Sequence, residues 1–207
     1  MKKIFFLILL SLSITTPSFT QNKKLLFESL TLKDKVWSLC NINAIKKSLN
    51  ESKDVLNIID SLSRFDEKFY DKKIESGKCD AFRHLLWMYK LSSTIGVEKA
   101  RRIGNMYENY NAYIYKINPQ SGYDKASMDM DLYNNEVGIY LYLKYEKNEL
   151  IIDYIKQTIE EGYVKIVSKN KDFQNLDINN SVIENKNWKG KWENQRCLID
   201  SNKSICE

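Results

Sequence analysis

His84 is the single histidine of the 207-residue sequence, and it stands in the run Cys79-Asp80-Ala81-Phe82-Arg83-His84-Leu85-Leu86-Trp87. On a helix Asp80, His84 and Trp87, at i, i+4 and i+7, share one face, with a carboxylate one turn before an imidazole. An acid that orients a histidine is the arrangement of a general base, and the same spacing also serves an ordinary intrahelical hydrogen bond. Two further polar stripes repeat at this period: Arg101, Asn105 and Glu108 among Ile103, Met106 and Tyr107, and Asp131, Asn135 and Gly138 within 128–138. Asparagine competes for backbone hydrogen bonds and is a mediocre helix former, so Asn134 and Asn135 in mid-helix call for side-chain partners. Gly138 lets another backbone or a ligand come close. A buried polar cluster is the expectation. In it His84 is the general base, Asp80 or Asp131 its orienter, and Glu108 a second acid or a ligand. Arg83 and the amides of Asn134 and Asn135 stabilise developing negative charge, with Trp87 as a binding residue on the same face as His84.

The elements that must position these residues are helices. With only 7 Gly and 2 Pro in the chain, long stretches run uninterrupted and their apolar residues recur at spacings of three and four. The spacing predicts helices over 24–39, 51–64, 79–95, 97–115, 127–146 and 149–168, separated by Gly77, Gly96 and the loop 118–122. Nothing alternates well enough for a sheet, so the expected class is all-α: a single bundle-like helical domain over 21–168. Residues 169–207, rich in Asn, Lys and Asp, read as an irregular polar tail held by Trp188 and Trp192 on either side of Gly190. Cys40, Cys79, Cys197 and Cys206 contain no C-x-x-C pair, which favours disulfides over a zinc cluster. Of the possible connectivities, Cys40 with Cys79 and Cys197 with Cys206 are expected, the second stapling the tail.

The order and spacing of DAFRH…W at 80–87, the acid at Glu108 and MDLYNNEVG at 130–138 resemble an uncharacterised bacterial domain family found in secreted and toxin-like proteins. The resemblance covers about 79–138 and implies a shared helical site with no assigned reaction. Members often carry His before the acid, where this chain has Tyr107, and many carry His before the paired asparagines, where it has Tyr133. Two imidazoles are therefore missing. His84, Glu108, Asp131 and Asp80 together offer one nitrogen and several oxygens, a set suited to a harder ion or a weak zinc site. No residue is assigned as a metal ligand, and the cofactor is left open.

Met1-Lys2-Lys3, an apolar run from Ile4 and a polar stretch ending near Thr20 read as a secretory signal peptide over 1–20. Its removal takes the formal charge from +5 to +3 by the loss of Lys2 and Lys3, too weak a surplus to point to nucleic acid. No later stretch approaches the ~20 apolar residues of a membrane span. The P-loop, G-x-S-x-G, H-E-x-x-H and dinucleotide fingerprints are absent from the sequence. The expectation is a secreted or periplasmic protein with a buried His/Asp/Glu/Asn site that hydrolyses an envelope or extracellular substrate. The alternative is a non-catalytic envelope binding or structural protein whose polar cluster is a packing network. The two part on solvent access, since a catalytic His84 lines a cleft and a structural one is enclosed with both ring nitrogens bonded.

Overall fold

The computed structural model describes residues 25–65 and 75–203; residues 1–20, read above as a signal peptide, and Cys206 lie outside them. The chain is mostly helical. Its elements run α1 (Leu32–Cys40), α2 (Ile42–Phe65), α3 (Lys78–Ile95), α4 (Val97–Ile117), α5 (Lys125–Lys144), α6 (Ile151–Glu160), β1 (Lys165–Val167), the short α7 (Asn185–Trp188) and β2 (Leu198–Asp200). Helix α3 is the centre, and α2, α4, α5 and α6 all pack on it. It is apolar on almost every side, as a helix enclosed by neighbours must be: Ala81, Phe82, Leu85, Met88 and Leu91 are fully buried. Each large side chain of this kind contributes roughly 1.5–3 kcal/mol by leaving water. Helix α5 crosses α3 at Gly138, where a Cβ would lie 2.6 Å from Leu85 O and 2.9 Å from Leu85 Cα. Any side chain there would have to displace backbone, which is the close approach the glycine is needed for.

Most boundaries follow the local chemistry. Gly77 is the N-cap of α3, and Gly96, at φ 86°, both ends α3 and opens α4. Pro119 sits in a single 3-10 turn closed by Gly122 in the left-handed conformation. The stretch 24–39 is not one helix. Thr31 caps α1 by accepting a bond from Asp34 N at 3.2 Å, and a serine or threonine at this place starts a helix. Helix α2 begins at Ile42 rather than at 51, and its first turns pack Ala44, Ile45 and Ser48 inward.

The tail corrects the sequence reading. Helix α6 stops at Glu160, and β1 pairs antiparallel with β2 in the register Lys165↔Asp200, Ile166↔Ile199, Val167↔Leu198. Strands of three residues are too short to show alternation, so a small two-stranded sheet joins the helices. The disulfide staple is also corrected: among the described residues no disulfide forms. Cys40 is exposed at the end of α1 while Cys79 is buried in the first turn of α3, so their side chains face different environments. Cys197 Sγ donates instead to Leu176 O at 3.5 Å, and its expected partner Cys206 lies outside the described residues. What holds the tail is a buried ion pair, Arg196 Nη1 to Asp124 Oδ2 at 2.7 Å. The tryptophans help as expected, Trp188 lying 4.6 Å under the Arg196 guanidinium and Trp192 5.1 Å from Tyr115. Among the described residues no helix is long and apolar enough to cross a membrane.

Candidate functional site

The first turn of α3 builds one wall. Asp80 Oδ2 accepts from Ser76 N at 2.7 Å, and Oδ1 accepts from Arg83 Nε at 3.0 Å and Nη2 at 2.5 Å. A carboxylate at a helix N-terminus is favoured by the exposed N–H groups there. Burial pushes the Asp80 carboxyl upward, but Arg83 above all, with help from the bond donated by Ser76 N, holds it below the usual carboxylate range. Arg83 Nη2 also lies 2.8 Å from His84 Nε2. A guanidinium has only donors, so Nε2 accepts and the imidazole proton sits on Nδ1, donated to Asn135 Oδ1 at 2.9 Å. Both ring nitrogens are thus engaged, and burial, reinforced by Arg83, pushes His84 down to about 4. The ring is neutral at physiological pH.

Helices α4 and α5 bring the second wall. Glu108 is fully buried and accepts from Asn111 Nδ2 at 3.0 Å through Oε2. As a carboxylate its Oε1 meets no donor, and neither does Asp131 Oδ1. The two carboxyls reach one another and hydrogen-bond when one holds a proton. Burial pushes Glu108 up to about 7. Burial, then the facing charges of Asp80 and Glu108, raise Asp131 well above its ordinary value. Asp131 Oδ1 is also 3.2 Å from His84 Nε2, a contact that becomes a bond only with a proton between them. Like charges this close do not both ionise in a dry site, so the pair retains a proton at neutral pH. Such a proton, held beside groups that can reload it, is the equipment of general acid–base chemistry.

Above these side chains lies a cavity of about 390 Å³ lined by Ser76, Asp80, Arg83, Trp87, Tyr107, Asn111, Tyr123 and Asp131 among others. It falls within the ordinary size range of small-molecule sites. Burial raises Tyr107, whose hydroxyl accepts from Arg83, and pushes Tyr123 up to about 12, so both keep their phenol protons. Asp80, His84 and Asp131 present oxygen and nitrogen atoms within 4.8 Å of one another, as a metal site would. Arg83 Nη2 already stands 2.5 Å from Asp80 Oδ1 and 2.8 Å from His84 Nε2. A divalent ion on those atoms would face the guanidinium charge, so this arrangement does not fit a metal and Arg83 supplies the cation.

The fold therefore gathers Asp80, Arg83, His84, Glu108, Asp131 and Asn135 into one cluster, with Trp87 at the cavity wall. Asn134 is buried but turned elsewhere: its Nδ2 donates to Lys165 O at 2.9 Å and its Oδ1 accepts from Lys165 N at 3.0 Å, clipping β1 to α5. The stripe of Arg101, Asn105 and Glu108 is divided, since Arg101 pairs with Glu136 at 2.8 Å near the surface and Asn105 is exposed. Of the two positions read as lost imidazoles, Tyr107 faces the cavity, while Tyr133 is 45% exposed, with Lys165 over its ring, and stands outside the cluster. Asn111, Tyr123, Ser76 and Arg196 were not singled out by sequence. Asn111 had a signal, lying one turn after Glu108; the others belong to turns and the tail, where no periodicity reports on burial.

Compared with known proteins, residues 31–163 match the model of a family described as a domain of unknown function, DUF6973. No curated protein and no solved structure matches the chain.

Proposed function

Because this chain belongs to the DUF6973 family, which comes with no assigned reaction, we propose from the site itself that the protein is a hydrolase in which Asp131 is the general acid. One observation carries this reading: Asp131 borders the cavity with its pKa raised by burial, beside Glu108 as the alternative holder of its proton. Arg83, fixed by Asp80, faces the same space and is placed to stabilise negative charge on a leaving group or intermediate. His84, enclosed and oriented by Asn135, acts behind Asp131 as a positioning group rather than on substrate. Assay of the purified protein against model esters, phosphodiesters, glycosides and peptides tests the proposal. Turnover of one class is expected, falling by about 10²–10⁴ in Asp131→Asn and declining at alkaline pH as the pair loses its proton. Failure on every class, or an unchanged rate in Asp131→Asn, would overturn it.

A second reading is favoured by His84 itself, which is 1% exposed with both ring nitrogens bonded. That is the packing-network role, in which the cluster fixes the crossing of α3, α4 and α5 in a non-catalytic protein. Under it Asp131→Asn changes the melting temperature and leaves nothing else to lose. The export proposal rests on the leader-like residues 1–20, and from it follows an envelope or extracellular substrate. Intact mass of the protein recovered outside the cytoplasm should lack those residues; a full-length mass would sink the export assignment.

A further inference from the structure

Ser76 stands just before Gly77, the N-cap of α3, with φ 62° and only 6% of its surface exposed. The left-handed region is costly for a residue with a side chain and cheap for glycine. What serine has and glycine lacks here is a hydroxyl, and that hydroxyl is engaged: Oγ accepts from Arg196 Nη2 at 3.3 Å and lies 3.4 Å from Ser127 Oγ. The backbone is held as well. Ser76 O accepts from Val167 N of β1 at 3.0 Å, and the neighbouring Glu75 O accepts from Lys169 Nζ at 2.7 Å. Val167, Lys169 and Arg196, which make these three bonds to 75–76, all lie beyond the residues 31–163 that match the family.

The N–H of Ser76 carries this restraint into the site. It donates to Asp80 Oδ2 at 2.7 Å, while Asp80 Oδ1 takes Arg83 Nε and Nη2, and the same Nη2 reaches His84 Nε2. A carboxylate with both oxygens committed cannot turn without giving up one set of bonds, so the place of the Ser76 N–H sets the place of the guanidinium. Gly77 has no side chain to do this. We infer that Ser76 is a positioning residue: held by Arg196 and β1, it fixes the Asp80 carboxylate and, through it, the Arg83 guanidinium at the cavity wall. Residues beyond 163 thereby set the geometry of a site whose own side chains, Asp80, Arg83, His84, Glu108, Asp131 and Asn135, all fall within the family match. The catalytic consequence rests on the hydrolase reading above; the positioning does not.

His84 is the single histidine of the chain, so nitrogen NMR of its imidazole reads the far end of this series of contacts without overlap. Wild type should show a protonated Nδ1 and an unprotonated, hydrogen-bonded Nε2. Ser76→Gly relieves the backbone and removes the hydroxyl, Ser76→Ala removes the hydroxyl alone, and Arg196→Lys keeps a charge for Asp124 but loses the fork that also reaches Ser76. In each, the Nε2 signal should move toward that of a nitrogen accepting no bond, and the residue-76 amide should exchange at least about tenfold faster. On whichever model substrate wild type hydrolyses, kcat should fall about tenfold or more with KM little changed. Ser201→Ala removes a buried tail bond to Ile159 O on α6 and controls for simple loosening; its Nε2 signal should stay in place. An unmoved Nε2 signal in the folded Ser76 variants and in Arg196→Lys, or an equal shift in Ser201→Ala, would overturn the inference and leave the hydrolase reading intact. Displaced signals in a protein that turns over no substrate would uphold the positioning and remove the hydrolase reading.

Discussion

Arg196→Met is expected to lower the folding free energy by about 3–5 kcal/mol, the cost of removing one partner of a buried ion pair while the other stays behind. Arg196 and Asp124 have side chains only 4% and 1% exposed. The guanidinium also donates to Asn175 Oδ1 at 3.2 Å, Ser127 Oγ at 3.2 Å and Ser76 Oγ at 3.3 Å. Asp124 cannot follow its lost partner outward, because it is the N-cap of α5 and accepts from Ser127 N at 2.8 Å. Methionine keeps much of the stem's apolar packing and none of the charge, so the loss reports on the polar contacts. Asp124→Asn keeps a capping side chain and removes the stranded charge. The double variant should therefore recover at least about 1 kcal/mol relative to the sum of the singles. Urea denaturation of the four proteins measures this, and strict additivity would mean that the two residues act independently. Since Ser76 joins Arg196 to Asp80 through its side chain and its N–H, the tail is wired to the Asp80 wall of the cavity.

Glu108→Gln should change the shape of the pH–stability curve more than its height. With a folded pKa of about 7 against the ordinary 4.5, the native state holds a proton that the unfolded chain has released. Its contribution is fully present below pH 4.5 and is lost as pH rises towards 7. Glutamine carries no such penalty, so the variant should gain on the order of 3 kcal/mol over wild type at alkaline pH and little at acid pH. His84 works in the opposite sense. Its folded value of about 4 against 6.5 means that stability is lost as pH falls through that interval. In wild type the Glu108 slope opposes that of His84 between pH 4.5 and 6.5, and the raised Asp131 carboxyl acts in the same sense as Glu108. In Glu108→Gln only the raised Asp131 carboxyl still opposes the His84 limb, and stability should climb more with pH across that window than in wild type. Urea midpoints at unit pH steps test the point, and parallel curves for the two proteins would show that Glu108 is not the group held protonated.

Periodicity carried the reading of this protein a long way. Asp80, His84 and Trp87 fall on one face of α3, and Asp131, Asn135 and Gly138 on one face of α5, because a helix of 3.6 residues per turn makes sequence spacing equal to spatial direction. The glycine and proline punctuation at Gly77, Gly96 and 118–122 became real helix ends for the same local reason. The strands of the tail were hidden because pairing between 165–167 and 198–200 is a contact across the chain with no local period.

What the sequence by itself determined is therefore the helical core, the faces of its central helices and the polar residues on them, all consequences of short-range geometry. Which of those residues share a proton, which merely clip a strand, and whether histidine or aspartate meets the cavity were decided by tertiary structure alone. Asn134 and Asn135 are neighbours in sequence, and one reaches Lys165 while the other orients His84. Burial of Glu108 and Asp131 together, against an Arg83 already committed to Asp80, sets the proton's place. Desolvation and the distances between charges on different helices exist only once the chain has packed.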